Sequence, residues 1–335
     1  MAMARARQDR LTKPAGSLGR LEELSIRLAG MTGSLRPPLA QRVVFVLAAD
    51  HGVAAERVSA YPREVTAQMV ANVLRGGAAI NALAGVAGAR VVVADLGVDA
   101  DLPELAGLRA HRQRRGTGNI AREAALTLEE AVAAVEAGRR LVVEEAAAGL
   151  DVACTGDLGI GNTTASAALV CRLLRLPPER VVGRGTGLDD AGLAHKREVV
   201  GRALGRHARA DGPLAVLAAL GGLEIAGLVG VILECAVRRV PVVLDGFIAG
   251  AAALVAVSIE PAAQGYLVAG HRSQEVGHGA VLAALHLRPL LHLDLRLGEG
   301  TGAVLALPLL AAAVAALNGM ATFDEAEVSN REEGR

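Results

Sequence analysis

The sequence predicts an α/β fold built on a parallel sheet with helices on both faces. Short, nearly continuous runs of β-branched and other apolar residues recur along the chain, and they end in or run into Gly or Asp. Runs without polar alternation are typical of strands that are buried on both faces, as in parallel sheets. Stretches with helical character separate these runs, and this alternation indicates strand–helix–strand units.

The predicted strands and helices alternate from residue 42 onwards. Ligands of open parallel sheets bind beyond the carboxyl ends of the strands, so functional residues are expected in the loops after these runs. The strands are 42–52 (RVVFVLAADHG), 89–97 (ARVVVADLG), 150–157 (LDVACTGD), 240–246 (VPVVLDG), 265–271 (GYLVAGH) and 290–300 (LLHLDLRLGEG). The helices are 64–75, 128–145, 163–174, 195–207 and 224–237.

The two ends of the chain have a different pattern. Residues 18–29 (LGRLEELSIRLA) carry Leu and Ile at amphipathic helical spacing, and residues 304–317 form a second apolar helix. We expect these two helices to pack together as a small helical unit. The apolar segments 245–257 and 302–317 are shorter than the roughly 20 residues that cross a bilayer, so we interpret both as buried helices. No membrane is expected as a partner.

Composition excludes several other partners. The 335 residues include 35 Lys and Arg and 35 Asp and Glu, so the formal net charge is zero. Balanced charge, 1% aromatic residues and the absence of Trp argue against nucleic-acid binding. The three cysteines are far apart and no apolar leader is found, which predicts buried thiols in a cytoplasmic protein. Neither a metal-binding histidine spacing nor a GxSxG hydrolase motif is present.

Four glycine-rich loops are candidates for anion binding. Glycine lets backbone N–H groups approach an anion, and a helix start adds free N–H donors. Each loop taken alone is also explained as a tight turn or a helix cap. None matches the GxxxxGK[ST] nucleotide motif, and a GxGxxG dinucleotide motif is weak. The loops are 116–120 (GTGNI), 156–164 (GDLGIGNTT), 183–190 (GRGTGLDD) and 298–302 (GEGTG).

Two carboxylates in these loops are candidates for acid–base chemistry. Glu299 lies between two glycines, and Asp157 follows the predicted strand 150–157. Close backbone packing would desolvate a carboxylate in such a turn and raise its pKa, which suits a general base. Each side chain could instead cap the helix that follows it.

Longer motifs make the chain resemble one known family. They run in order over nearly the full length: 11–29 (LTKPAGSLGRLEELSIRLA), 48–81 (AADHGVAAERVSAYPREVTAQMVANVLRGGAAIN), GTGNI, GDLGIGNTTASAAL, GRGTGLDDAGLAHK, ALGGLEIAG, GHRSQEVGH and RLGEGTGA. In these motifs the chain resembles the nicotinate-nucleotide–dimethylbenzimidazole phosphoribosyltransferases.

The resemblance implies a fold and a reaction. It implies a Rossmann-like large domain at 31–303 and a small helical domain formed by 1–30 with 304–335. The reaction transfers the 5-phosphoribosyl group of nicotinate mononucleotide to 5,6-dimethylbenzimidazole, which gives α-ribazole 5′-phosphate and nicotinate in cobalamin synthesis. A homodimer without a metal or other cofactor is implied as well.

The resemblance also assigns residues. Glu299 corresponds to the catalytic base. Asp157 stands where the family usually has Glu, in a GEMGIGNTT pattern, and its shorter side chain leaves two roles open: action through a water, or support of the base. Seven residues are expected to hold the phosphoribosyl group: Gly159, Gly161, Asn162, Gly185, Thr186, Lys196 and Ser273. Three are expected to line the benzimidazole pocket: Ser59, Tyr61 and Gln68.

Two rival functions fit the same glycine-rich loops. A non-catalytic nucleotide-binding or regulatory protein on this fold would keep the loops but would not need Glu299, and the Asp at position 157 favours it slightly. A dehydrogenase would bind NAD and transfer no phosphoribosyl group.

Overall fold

The structure, a computed structural model, describes residues 1–102 and 105–329. In these residues one sheet has the strand order β3-β2-β1-β4-β5-β6, and every neighbouring pair is parallel. This is the strand order of the Rossmann fold, so the predicted fold class is confirmed. The strands are β1 (Arg42–Ala49), β2 (Ala89–Gly97), β3 (Leu108–Ala110), β4 (Val152–Leu158), β5 (Val242–Leu244) and β6 (Leu267–Ala269).

Helices cover both faces of the sheet. Phe45 and Leu47 of β1 belong to one apolar core with residues of α5, α6 and α8 to α10, whereas Val44 and Val46 belong to a second core with α2 to α4 and α12. The helices are α1 (Ala2–Arg10), α2 (Arg20–Thr32), α3 (Val65–Leu74), α4 (Ala79–Ala87), α5 (Leu128–Ala148), α6 (Asn162–Leu174), α7 (Asp190–Arg206), α8 (Pro213–Leu220), α9 (Leu223–Val237), α10 (Phe247–Ile259), α11 (His278–Ala284) and α12 (Thr301–Gly319).

Local sequence explains where several helices begin. Thr127 precedes α5, and its hydroxyl accepts a hydrogen bond from Glu130 N (3.1 Å), while the Glu130 carboxylate accepts one from Thr127 N (2.9 Å). This reciprocal capping box satisfies two backbone donors. In the same way Asp189 precedes α7 and accepts from Gly192 N (2.8 Å). Helix α7 therefore begins at Asp190, five residues before the predicted start at 195.

The predicted strand at 290–300 is wrong. His271 and Leu291 form one isolated bridge, and the rest of the segment up to Gly298 is not a strand. Leu290 N and Leu291 N donate to Ala269 O and Gly270 O (both 3.0 Å), so the segment runs beside the end of β6 without forming a ladder. Its alternating Leu and polar residues resemble a strand in sequence, but the neighbouring strand β6 has only three residues to pair with.

The helices from the two ends of the chain contact each other. Ala4 of α1, Ile26 and Ala29 of α2, and Leu317 of α12 form a small apolar cluster. Helix α12 also packs against β4 and β5 through its other face. The contact between the terminal helices agrees with the expectation, whereas their division from the rest of the chain as a separate domain stays a prediction.

Two segments, Val65–Ala87 and Thr301–Gly319, are long and apolar enough to cross a membrane, by length and composition only. The first is interrupted, because a turn at 75–78 separates α3 from α4. The second is α12, which packs on the sheet as described above. This is weak evidence for a membrane span, and packed helices of a soluble protein pass the same test.

Candidate active site

A cavity of about 370 Å³ lies over the carboxyl ends of β4, β5 and β6. We call it the carboxyl-edge cavity. The residues after all three strands contribute to its wall, as the sequence predicted for the ligand site of a parallel sheet. Eight of the predicted site residues line it: Tyr61, Asp157, Gly159, Asn162, Gly185, Thr186, Ser273 and Glu299.

Four predicted site residues do not line this cavity. Gly161 is the N-cap of α6 and has φ 98°, a left-handed conformation that favours glycine. Lys196 is buried one layer behind the wall, where its Nζ donates to Thr163 Oγ1 (2.7 Å). Ser59 contacts the wall, since its Oγ lies 3.0 Å from Thr186 Oγ1. Gln68 is exposed on α3, whereas its neighbour Met69 faces the cavity.

Glu299 is a buried carboxylate with a single described donor. Its side chain is 4% exposed, and its Oε2 accepts a hydrogen bond from Ile80 N (3.3 Å), in the first turn of α4. Burial and the charge of Asp245 raise the pKa of Glu299, and the Ile80 hydrogen bond lowers it less than these two raise it. The backbone of Glu299 has φ 62°, an unusual value for a non-glycine residue.

Asp157 is the second buried carboxylate of the cavity. Its Oδ2 accepts a hydrogen bond from Asn162 Nδ2 (2.9 Å). Burial raises the pKa of Asp157 well above its ordinary value, and the charges of Asp245, Glu224 and Glu299 raise it further, against the lowering effect of Asn162. A carboxyl group in this setting holds its proton more tightly than an ordinary aspartate.

Asp245 is a functional residue that the sequence reasoning missed. It follows β5 and occupies the N-terminus of α12: its Oδ1 accepts from Gly302 N (2.7 Å) and Ala303 N (3.2 Å), and its Oδ2 from Gly300 N (3.2 Å). His271 Nε2 lies 3.4 Å from the same Oδ1. Asp245 therefore fixes the turn that carries Glu299. The sequence feature that could have identified this residue is its position at the end of the predicted strand 240–246.

The start of α6 forms the polar wall of the cavity. Asn162 and Thr163 of its first turn line the cavity beside Gly185 and Thr186. Burial lowers the pKa of Lys196, behind Thr163, to about 8, although the charge of Glu275 opposes this shift. A cation, hydroxyl groups and a helix N-terminus in one wall together suit an anionic group such as a phosphate.

Another part of the cavity wall is apolar. Sequence reasoning named Tyr61 there but missed the others, because apolar residues at a cavity wall have the same sequence pattern as apolar residues of the core. These side chains surround a space suited to a flat apolar ring. They are Tyr61, Val65, Met69, Phe247, Ile248 and Leu297.

The loop 116–120 does not line the carboxyl-edge cavity. Its backbone donors bond to the protein itself: Gly116 N to Gly97 O (3.0 Å), Thr117 N to Asp50 O (3.0 Å) and Gly118 N to Ala125 O (2.8 Å). This glycine-rich loop is therefore structural. The described residues include no group of three or more His, Cys, Asp and Glu arranged to hold an ion.

Comparisons with known proteins show the family of the chain. Residues 1–328 match a family model described as "Phosphoribosyltransferase". Nicotinate-nucleotide–dimethylbenzimidazole phosphoribosyltransferases from Chloroflexus aurantiacus and Deinococcus radiodurans are 56% and 55% identical to the chain, cover 98% of it, and are themselves covered to 94% and 91%. The chain belongs to the nicotinate-nucleotide–dimethylbenzimidazole phosphoribosyltransferase family.

A solved structure extends the match to the fold of this phosphoribosyltransferase family. The crystal structure of CobT from Thermus thermophilus superposes with a TM-score of 0.96 at 53% identity, over 98% of this chain and 99% of that chain. The resemblance that the motifs indicated is thus confirmed at the level of family and fold.

Proposed function

We propose that this chain transfers the 5-phosphoribosyl group of nicotinate mononucleotide to 5,6-dimethylbenzimidazole, with inversion at C1′, giving α-ribazole 5′-phosphate and nicotinate. The observation that carries the proposal is the arrangement of the carboxyl-edge cavity. A buried carboxylate, Glu299, shares it with the polar start of α6 and with an apolar wall. A base, an anion site and a ring pocket in one cavity are what this transfer requires.

The phosphoribosyl group binds at the α6 side of the cavity. The proposed ligands are the backbone of the two glycine-rich turns, the Thr186 hydroxyl and Ser273, with Lys196 acting through its charge behind Thr163. Gly161 contributes by allowing α6 to begin where it does. The full proposed set is Gly159, Gly161, Asn162, Gly185, Thr186, Lys196 and Ser273.

The acceptor base binds against the apolar wall. Tyr61 supplies an aromatic surface there. Ser59 acts through its contact with Thr186. Gln68 is exposed and contributes only if the acceptor or the 59–68 segment extends over it.

The reaction breaks the C1′–N bond of the nucleotide. The ring nitrogen of nicotinate mononucleotide is already positive, so nicotinate leaves with the bonding electron pair as a neutral ring. C1′ passes through an oxocarbenium-like state, and the benzimidazole nitrogen attacks from the opposite face with its lone pair. The other ring nitrogen then loses its proton to Glu299. Alignment of the two rings is worth about 7–11 kcal/mol in well-oriented reactions, and a general base adds typically 10²–10⁴-fold.

Asp157 has a supporting role in this scheme. The carboxyl group is held by Asn162, and its raised pKa makes it a poorer carrier of negative charge than an exposed aspartate. We propose that Asp157 helps to hold the acceptor, directly or through a water, while Glu299 takes the proton.

A direct assay tests the proposed function against its rivals. Purified protein is mixed with nicotinate mononucleotide and 5,6-dimethylbenzimidazole, and nicotinate and α-ribazole 5′-phosphate are separated by chromatography. Stoichiometric appearance of both products supports the transfer. Binding of the nucleotide without product would support the non-catalytic alternative, and tight binding of NAD without transfer would support a dehydrogenase.

The assembly and location of the protein are proposed from the family resemblance. We expect a cytoplasmic homodimer that needs no metal or other cofactor. Sedimentation velocity at micromolar concentration measures the assembly, and a monomer that turns over at full rate would contradict it. Retained turnover in a chelator tests the metal requirement.

A further inference from the structure

Two motifs of the family resemblance have no part in the reaction described above, yet they meet inside the protein. His51 comes from AADHGV, directly after β1, and Glu224 comes from GGLEIAG, at the second position of α9. His51 Nε2 and Glu224 Oε1 are 2.7 Å apart. Both side chains are almost fully buried. A buried acid–histidine pair is costly to form and needs a reason to be there.

The pair packs directly against the turn that carries the active-site residues. A Cβ added to Gly159 would lie 3.4 Å from the His51 ring, and one added to Gly161 would lie 3.1 Å from His51 Cβ. On the other side a Cβ at Gly222 would overlap both His51 and Glu224. Gly161 and Gly222 therefore make room for one imidazole and its partner, so this contact is built closely into the fold.

Glu224 also acts on the cavity through its charge. Four neighbouring groups affect the pKa of Asp157. The charges of Glu224, Asp245 and Glu299 raise it, and the hydrogen bond from the Asn162 amide lowers it. Asp245 is satisfied by the N-terminus of α12. Glu224 lies deeper, and its Oε2 has no hydrogen-bond partner among the described residues. The single described hydrogen bond that Glu224 accepts is therefore the one from His51.

We infer that His51 and Glu224 form a positioning pair for the active site, which holds the Gly159–Gly161 turn and contributes the charge of Glu224 to the electrostatics of Asp157. Neither residue lines the carboxyl-edge cavity, so the pair acts through its neighbours and not on the substrate. The inference rests on the proposed function, because Asp157 matters only if the cavity carries out the transfer.

The test is the pH dependence of kcat for the complete protein. The carboxyl groups of Asp157 and Glu299 are coupled through their charges, so the acid limb of the profile reports this pair. Glu224→Gln removes a negative charge behind Asp157, so the limb should move to lower pH, by ~0.5 unit or more. Glu224→Asp keeps the charge and should keep the limb. Glu234→Gln is the matched control, since Glu234 is a buried carboxylate on the same helix that pairs with Arg139.

The outcomes separate this inference from the proposed function. An inactive wild-type protein would overturn the proposed function itself. An active wild type in which Glu224→Gln and Glu234→Gln give the same profile would overturn the positioning pair alone. If circular dichroism shows that Glu224→Gln is unfolded, His51→Ala and His51→Gln replace it. Glutamine restores an N–H donor, so a limb that shifts in the Ala variant and returns in the Gln variant supports the pair, and equal profiles contradict it.

Discussion

Helices α6 and α12 both begin at glycine-rich turns on the carboxyl edge of the sheet, but their N-termini are used differently. At α12 the free N–H groups of Gly300, Gly302 and Ala303 are taken by the Asp245 carboxylate. At α6 no side chain among the described residues caps the helix, and its first turn faces the cavity. The protein has thus filled one helix terminus with its own anion and left the other facing the proposed phosphate.

This difference shows why a glycine-rich turn before a helix does not by itself define an anion site. What decides is whether the fold supplies an internal carboxylate to the same N–H groups. At α12 the Asp245 carboxylate occupies the backbone N–H groups. The group that this turn presents to the cavity is therefore the Glu299 side chain. In the proposed function the two turns therefore have different roles: the α12 turn provides the base and the α6 turn provides the anion site.

The largest expected effect follows from removing the base at the α12 turn. Glu299→Gln should lower kcat at least ~100-fold, because a general base contributes typically 10²–10⁴-fold. The dissociation constant of nicotinate mononucleotide should change little, since the proposed phosphoribosyl site lies at α6 and not at the α12 turn. Initial rates of nicotinate release and calorimetric titration measure the two quantities. Glu129→Gln, at an exposed position of α5, is the control, and an unchanged kcat in Glu299→Gln would remove this residue from its role.

The next effect concerns the anion site at α6. Lys196→Met keeps the length of the buried side chain but removes the charge behind Thr163. Affinity for nicotinate mononucleotide should fall about 10- to 100-fold, the range for a hydrogen bond to a charged group. In the wild type the affinity should also weaken as the pH rises through about 8, where the Lys196 ammonium loses its proton. The variant should lack this pH dependence.

The chain supplies a matched control for this substitution. Lys13 and Lys196 are its two lysines, and both are buried, but Lys13 pairs with Glu22 (2.7 Å) outside the cavity. Lys13→Met should lower the free energy of unfolding and leave nucleotide affinity unchanged. Equal losses of affinity in the two variants would contradict the division between the two turns.

The sequence predicts those parts of the fold that depend on short, contiguous stretches of the chain. The runs at β1, β2 and β4 are long and rich in apolar residues because most of their residues are buried, so the sequence predicts them. The short strand β3 (LRA) has no such run, and it forms because β2 offers a free edge. The segment 290–297 has strand-like alternation but lies beyond the end of its neighbour, which only the assembled sheet reveals.

The same limit applies to the site. Glu299 and Asp157 could be predicted because glycines or turn residues surround a carboxylate. The role of Asp245 depends on a helix that starts more than 50 residues later, as the 57-residue separation of its contact with Gly302 shows. The spacing of residues along the sequence cannot reveal a contact between residues this far apart. Lys196 was found through the family motif, but its place behind the wall required the structure.

A smaller effect is expected from reopening the closed helix terminus. Asp245→Asn removes the charge at the start of α12, which should lower the free energy of unfolding by about 1–2 kcal/mol. The charge of Asp245 raises the pKa of Glu299, and the base must be ionised to act, so kcat falls as the pH drops through this pKa. Removing the charge lowers the pKa and should move the acid limb to lower pH.

The control for this variant is another helix cap. Asp189→Asn changes the exposed N-cap of α7, outside the carboxyl-edge cavity. It should leave the pH profile of kcat in place, because it removes no charge near Glu299. A shift of equal size in both variants would show that the profile reports general stability and not the charge of Asp245.

The smallest effect on catalysis is expected at the loop 116–120, which resembles the α6 turn in composition but has a structural role. Glu56 accepts hydrogen bonds from Asn119 of this loop (2.8 Å), Arg122 (2.9 Å) and Arg202 (2.7 Å). These partners lower the pKa of Glu56 to about 2. A carboxylate with a depressed pKa stabilises the fold above its unfolded pKa near 4.5, and this contribution is lost as the pH falls towards 2.

Glu56→Gln should therefore lower Tm at pH 7 by roughly 2–4 °C while kcat and nucleotide affinity stay within error. The difference in Tm between wild type and variant should shrink as the pH drops below the unfolded pKa, because the wild type then loses the same charge. Scanning calorimetry from pH 7 to pH 3 measures this convergence. A loss of nucleotide affinity in Glu56→Gln would instead mean that the loop 116–120 reaches the ligand, and the contrast between structural and ligand-binding glycine turns would fail at that loop.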